Sequence, residues 1–495
     1  MIMAQERMIL KGQVQLEEMA ALVRQAAKDG RPIDQVERSL WQSLLALGRT
    51  MLSGYVEAVG AGDVGATLAH DGRELNRLEA MHERRYVSVF GELTVRRYVY
   101  GSRETQKHEV IPTDAVLGLP EGEFSALLAE WDQAFCVQGS YAQSRQTVQR
   151  ILGLGQSVRS LEQMSVSMAG AVEEFRTSQP VPPAAEEGAI VVLTADGKGV
   201  PMRREAGEES ATVNGHRTKG QKANKKRMAC VGGAYTIDPF VRTGEDVVDE
   251  LLRDARQADR PEPCHKQLRA ELTRPIDGVE VNGKERIFQW LAEEVQVRNP
   301  SGDKPVVCVM DGERALWKRL KGLIFGVVCI LDLFHVLERL WQAAHCFHAE
   351  GSREAQEFVT DRLLRLLRGE VGYVIGGLRQ MMTKQGLTGW RRRQLTAVIG
   401  YLQANRRFMN YDEYLAAGYP IGSGVAEGAC RHLVKDRMEL TGMRWRVPGA
   451  QAVLDLRAVY INGDWDAFQE HRVAQERRRL YPYRSQVLRI RKQAA

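Results

Sequence analysis

The chain has 495 residues, 44% of them hydrophobic and 27% charged, an ordinary globular composition with length for about two to four domains. Lys and Arg outnumber Asp and Glu by 69 to 63, a surplus too mild for a uniformly basic protein, so the places where charge clusters matter more, because local basic patches bind phosphate backbones. No apolar run approaches the ~20 residues of a membrane helix and residues 1–7 do not lead into a signal-peptide core, so a cytoplasmic protein without a membrane partner is expected, and the seven cysteines stand singly, which argues against a disulfide framework or a zinc ribbon.

In chain order, residues 10–64 carry apolar side chains at helical spacing (Leu16, Met19, Leu22, Val23, then Leu44, Leu45 and Leu47) and read as two or three helices. Residues 85–100 switch to a period of two and read as a β-hairpin, with Gly91 at the first central position of a two-residue type II′ turn. Its arginines, Arg84, Arg85, Arg96 and Arg97, are open to two readings, DNA contact or solvated edge-strand charge. From 124 to 175 the pattern is helical again and breaks at Gly153-Leu154-Gly155. Residues 141–152, a short turn and residues 157–168, with Ser157 as N-cap, have the proportions of a helix-turn-helix, although plain helix packing gives the same pattern. The proline-rich stretch at 179–188 reads as a linker and a domain boundary.

Beyond the linker, residues 189–200 (AIVVLTADGKGV) form an apolar, β-branched run that stops on Asp196 and turns through Gly197. Residues 305–311 (PVVCVMD) and 326–332 (GVVCILD) repeat the design and end on Asp311 and Asp332. Runs without polar alternation are strands buried on both faces, and residues past the carboxyl ends of such strands converge on one crevice. Three acids pointing there suggest a metal site. Between the first run and a strand at 228–237 lies a basic segment holding Arg217, Lys219, Lys222, Lys225, Lys226 and Arg227, with Lys198 just before it; such a segment cannot bury itself, and beside clustered carboxylates it suits a phosphodiester substrate. Helical sequence follows at 245–257 and 287–295. His335 lies one turn after Asp332, and residues 353–415 are helical throughout, an insertion.

Residues 419–439 combine a Pro-Gly turn, Ser423 as N-cap and a helix with Glu427 in its first turns and Arg431 and Lys435 at i+4 and i+8 on its side. Next, Arg444, Trp445 and Arg446 make a set able to grip a backbone and stack on a base. The tail from 472 on holds eight basic residues to one acid and reads as a nucleic-acid arm.

The ordered motifs GELTVRRYVY, LTADGKGVPMRR, CVMDGERALWKRL, DLFHVLERLW and PIGSGVAEGACRHLVKDRMELTGMRW resemble those of the ISKra-type insertion-sequence transposases of bacteria, over about residues 85–465. The resemblance implies a mixed α/β chain: a ribonuclease-H-like catalytic core of the DDE class at 181–348 and 419–466, a helical insertion at 349–418, and before them a mainly helical region (1–102) ending in the hairpin and a helix-turn-helix region (103–180), with the basic tail from 467. The implied triad is Asp196, Asp311 and Glu427, holding Mg²⁺ or Mn²⁺, with two ions in play; Asp332 and His335 resemble a D-x-x-H element of Mutator-like relatives. The implied partners are DNA, as element ends and target, and further copies of the chain. One departure is the Gly101-Ser102-Arg103 that follows YVY where the family has paired cysteines, so no structural zinc is expected there. Two ions about 4 Å apart would need carboxylates within about 4–8 Å of each other; should Glu427 lie far from both aspartates, Glu439 or Glu313 would need examination instead. Two other readings share some features. A domesticated DNA-binding protein could lose the acids, yet all three are present, and a small-molecule phosphatase would not explain the basic loop and tail.

Overall fold

The computed structural model describes residues 2–102, 109–203, 226–252, 260–440 and 442–494. The chain is mixed α/β and divides into two compact units, residues 1–175 with 464–495, and residues 176–463. The division falls just before the proline-rich stretch at 179–188, and residues 464–495 belong with the first unit.

The second unit is built on one mixed sheet: β1 (Ile190–Pro201), β2 (Lys226–Ile237), β3 (Cys264–Leu272), β4 (Val306–Met310) and β5 (Val328–Leu331), in the spatial order β5-β4-β1-β2-β3. β1, β2 and β3 are an antiparallel meander, while β4 and β5 run parallel to β1. Ile190 to Leu193 and all of β4 are buried, as unalternating apolar runs require. β3 was not expected from the sequence, because its first four residues (Cys264, His265, Lys266 and Gln267) are polar or small and none is buried. This edge strand is sealed by helix Val447–Asn462, whose Gln451 accepts from the Leu272 amide and donates to the Ala270 carbonyl, and whose Asn462 accepts from the Leu268 amide, which satisfies the ladder groups an edge leaves open.

The helical insertion is Arg353–Leu367, Val371–Lys384, Gly389–Asn405 and Tyr411–Ala416. It is continuous with the sheet's core: Phe358, Leu363, Leu378 and Leu402 belong to the same buried cluster as Val192, Val307 and Ile330. Tyr411 and Tyr414 donate their hydroxyls to the Leu331 and Cys329 carbonyls at 2.8 and 3.2 Å, tying the insertion to β5.

In the first unit, helices Ile2–Lys28 and Ile33–Val59 pack as an antiparallel pair. The hairpin is His82–Ser88 with Gly91–Arg97, but Ser88 pairs with Gly91, so Val89 and Phe90 are the two turn residues. Packing overrides turn chemistry here. Val89 is buried, the Phe90 ring occupies the space where Gly48 lacks a side chain, and Gly91 carries the positive φ one position later. The hairpin arginines are ion-paired: Arg84 and Arg97 converge on buried Asp114, Arg85 bridges Glu92 and Glu123, and Arg96 meets Glu83. After the short helix Pro112–Leu117 come Ala126–Cys136, Tyr141–Leu152 and Val158–Ala169. The last two sit where the helix-turn-helix was expected, the first closed by a Ser140/Gln143 capping box and Gly153, the second capped by Ser157.

Candidate functional site

The site grows from the register of three parallel strands. Ala195 pairs with Met310, and Met310 with Leu331, so Asp196, Asp311 and Asp332 leave adjacent strands at one level. Asp196 does not end its strand, as the sequence suggested. β1 continues to Pro201, paired only with β2. Gly197 and Gly199 permit this, since the Met228 and Lys226 side chains come within 3.1 and 3.0 Å of where a Cβ would stand. Asp196 therefore sits where β4 peels away and one side of β1 opens.

The three acids have different tasks. Asp196 Oδ1 accepts from the Gly197 amide at 2.6 Å and Oδ2 from the Cys430 thiol at 3.2 Å. Among the described residues Asp311 accepts only from the Glu313 amide, at 2.9 Å. Burial pushes its carboxyl above the usual carboxylate range, and the negative charge of Asp196 adds to the effect while His335 opposes it. Asp332 is buried and fully engaged: Oδ1 accepts from the Phe334 and Ser423 amides at 3.0 and 3.3 Å, and Oδ2 from the Ser423 hydroxyl. It caps helix Leu333–Ala344 and ties that helix to the start of Gly424–Ala429, so it is a structural anchor. His335 stands half-exposed, with Nε2 4.0 Å from Asp332 and Nδ1 3.8 Å from Glu338.

Glu427 lies on helix Gly424–Ala429, and its side chain is outside the described residues. Its possible replacements, Glu313 and Glu439, are each paired with a lysine, Lys284 and Lys226. The expected α-helical continuation to Arg431 and Lys435 does not hold, because Cys430–Lys435 is a π-helix, which shifts side chains out of i, i+4 register. Arg457 donates Nε to the His432 carbonyl of this segment at 2.6 Å. Burial, helped by nearby Arg437, pushes the Arg457 guanidinium down to about 10. The π-turn also brings the Cys430 thiol to Asp196. Burial foremost, then the adjacent carboxylate, raises that thiol far above the usual range, so it stays a neutral donor. Nothing in the sequence singled Cys430 out, since it is one of seven cysteines that all stand singly.

Asp196, Lys198, His335, Gly428, Arg431 and Lys435 line a cleft of about 620 Å³. Of the other residues expected on DNA, Arg444 and Arg446 are exposed, Lys226 is engaged by Glu439 and Arg227 donates to the Thr273 carbonyl. Arg217, Lys219, Lys222 and Lys225 lie outside the described residues. Trp445 is buried, donates its indole N–H to Met438 O and lies against the Arg437 guanidinium, so it offers no face for base stacking. The expected arm is folded: Trp465–Leu480 and Arg484–Ala494 are helices anchored in the first unit through Tyr481.

Among the described residues no group of three His, Cys, Asp or Glu side chains is placed to hold a metal ion. Two of the three expected ligands do stand side by side, and their mutual repulsion is what a bound cation would relieve. No family model matches this chain, and no curated protein matches it significantly.

Proposed function

We propose that the chain is a metal-dependent DNA transposase of the DDE class, cutting phosphodiesters at element ends and joining strands, as its resemblance to ISKra-type transposases implies. The observation that carries this reading is the pairing of Ala195 with Met310, which sets Asp311 on the strand beside Asp196, itself in the lining of a cleft with Lys198, Arg431 and Lys435. An antiparallel meander extended by two parallel strands, with one acid within the first strand, one following the fourth and a third on a returning helix, supports a ribonuclease-H-like core. Asp196, Asp311 and Glu427 would hold Mg²⁺ or Mn²⁺, hard cations suited to carboxylates. When bound, such ions activate the attacking oxygen and neutralise the leaving one. The chain's own cations draw the phosphates in, and the exposed Arg444 and Arg446 extend that track. Helices Tyr141–Leu152 and Val158–Ala169 would read the element ends.

The test uses purified protein, Mg²⁺ and DNA bearing the ends of its own element. Asp196→Asn and Asp311→Asn are each expected to cut at least ~100-fold more slowly while still retarding that DNA in a gel. Substantial Mg²⁺-dependent cutting by either variant would remove that residue from the site.

A further inference from the structure

Strand β4 ends at Met310, and the chain then passes through Asp311, Gly312 and Glu313 into helix Arg314–Leu323. This short passage lies against the end of the insertion helix Gly389–Asn405 and the turn Arg406–Phe408 that follows it. A methyl group added at Gly312 would stand 2.6 Å from Asn405 Nδ2 and 2.7 Å from Tyr401 Cε2, well inside ordinary van der Waals separation. Further along, the buried Trp317 ring stacks on Phe408 with 4.4 Å between centroids and 18° between planes. Tyr401, Asn405 and Phe408 thus make one wall. The loop that carries Asp311 rests on it on both sides of the Glu313 amide that holds the carboxylate.

The wall is braced. Asn405 is buried, and its Nδ2 donates to the Tyr401 carbonyl at 3.0 Å. The Arg339 guanidinium lies over the Tyr401 ring, 4.8 Å from its centroid. Arg339 donates Nη1 to Gln342 Oε1 at 2.9 Å, and the same oxygen accepts from Gln394 Nε2 at 3.1 Å, so the ring is held between helix Leu333–Ala344 and the insertion. Burial pushes the Tyr401 phenol up to about 12, and the negative charge of Asp311 adds to the effect, which puts the two groups within electrostatic reach of each other. A metal ligand must be held to within about 0.5 Å by neighbours whose own rotamers are locked. A braced aromatic ring against a glycine meets that need, because the missing side chain lets the ring bear directly on the backbone.

We propose that Tyr401 is a positioning residue for Asp311: its ring, seated against Gly312, sets where the Asp311 carboxylate can meet a divalent cation, and the helical insertion is thereby a support of that site. The proposal rests on the reading of Asp311 as a metal ligand, and it gives the insertion a task that involves neither DNA nor a second chain.

The test is Mn²⁺ binding by the full chain with DNA bearing its element ends, followed through the electron paramagnetic resonance signal of the free ion, alongside the Mg²⁺ concentration that half-saturates cutting. Asp311→Asn is the reference for loss of the ligand itself. Gly312→Ala pushes the loop off the wall and Tyr401→Ala removes the wall. Each is expected to weaken Mn²⁺ binding about 10- to 100-fold and to raise the half-saturating Mg²⁺ to match. Tyr401→Phe keeps the ring and should bind Mn²⁺ like the wild type, and DNA retardation should be unchanged throughout. If Tyr401→Ala loses helicity, Tyr401→Leu is read in its place. Wild-type Mn²⁺ binding by Gly312→Ala and Tyr401→Ala, with binding lost in Asp311→Asn, would overturn the proposal alone, as would a Tyr401→Phe chain as defective as Tyr401→Ala. Undiminished binding in Asp311→Asn would overturn the metal reading of Asp311 and this proposal together.

Discussion

Asp332 accepts both the amide and the hydroxyl of Ser423, a bond between residues 91 positions apart that fastens the start of the Glu427 helix to the end of β5. The clamp is reinforced on both sides. The Leu333 amide donates to Ile421 O at 3.0 Å, the Asp332 amide to Met310 O at 2.9 Å, and Gly422 makes room for the Phe334 ring. One carboxylate thereby links β4, β5, the His335 helix and the turn before Glu427.

Asp332→Ala removes a charged acceptor from buried donors and should cost about 2–3 kcal/mol of stability, with Ser423→Ala costing about 1–2 kcal/mol. Because the two residues share one interaction, the double variant should cost clearly less than the sum. Denaturant titrations of the four proteins check this, and simple additivity would show that the clamp is not a unit.

The first unit holds a pH-dependent element in Asp132, on helix Ala126–Cys136. Burial pushes its carboxyl up to about 7, only partly opposed by the Gln156 side chain donating to Oδ2 at 2.6 Å. The folded chain therefore binds this proton more tightly than the unfolded chain, so stability falls as pH rises from about 4 to about 7 and stays lost above. Asp132→Asn can keep the Gln156 bond without the charge. Its stabilisation should be about 2 kcal/mol greater near pH 8 than near pH 5. Equal gains at the two pH values would refute the account.

These cases mark what was legible in the sequence. The Asp196, Asp311 and Asp332 strands could be read because burial on both faces leaves an unbroken apolar run, and the long helices because their periodicity persists. β3 could not be read, since an edge strand sealed by Gln451 and Asn462 needs little apolar pattern. The turn at Val89-Phe90 was hidden because packing against a distant helix outweighed the pull of Gly91. The π-turn at Cys430 has no signature in composition, and the role of Asp332 as an anchor depends on a partner 91 residues away.

The C-terminal segment misled for another reason. Its basic composition dominated the reading, while a few anchors decide its structure: Tyr481 donates to Leu119 O at 2.8 Å, Arg484 to Ala115 O at 2.8 Å, Arg491 to Val59 O at 2.7 Å, and Val487 is buried. Removing residues 481–495 should lower the thermal midpoint of the chain, and Val487→Asp alone should cost roughly 3 kcal/mol. Arg431→Ala and Lys435→Ala, by contrast, should leave the midpoint unchanged and each flatten the log-log salt dependence of DNA binding by about 0.9. A truncated chain that melts like the full one would restore the tail to a loose arm.

Cys430 carries the last prediction. Among the described residues its thiol is the one side chain donating to Asp196, and it stands at the start of the π-helix Cys430–Lys435, where Arg457 donates to the His432 carbonyl. A thiol is a weak donor, so its worth lies in fixing the rotamer of Asp196. Cys430→Ser keeps a donor of similar size and should retain cutting within a few-fold, whereas Cys430→Ala lets the carboxylate turn and should slow cutting by about tenfold, roughly 1.4 kcal/mol. DNA retardation should be unchanged in both, since neither alters a cation of the cleft. Arg457→Met is expected to produce the alanine phenotype from a distance, by leaving the His432 carbonyl without its donor and releasing the π-turn. The measurements are cutting rates and gel retardation for all three variants. If Cys430→Ala cuts as fast as the wild type, Asp196 is held by its own strand alone, and the π-turn has no part in the site.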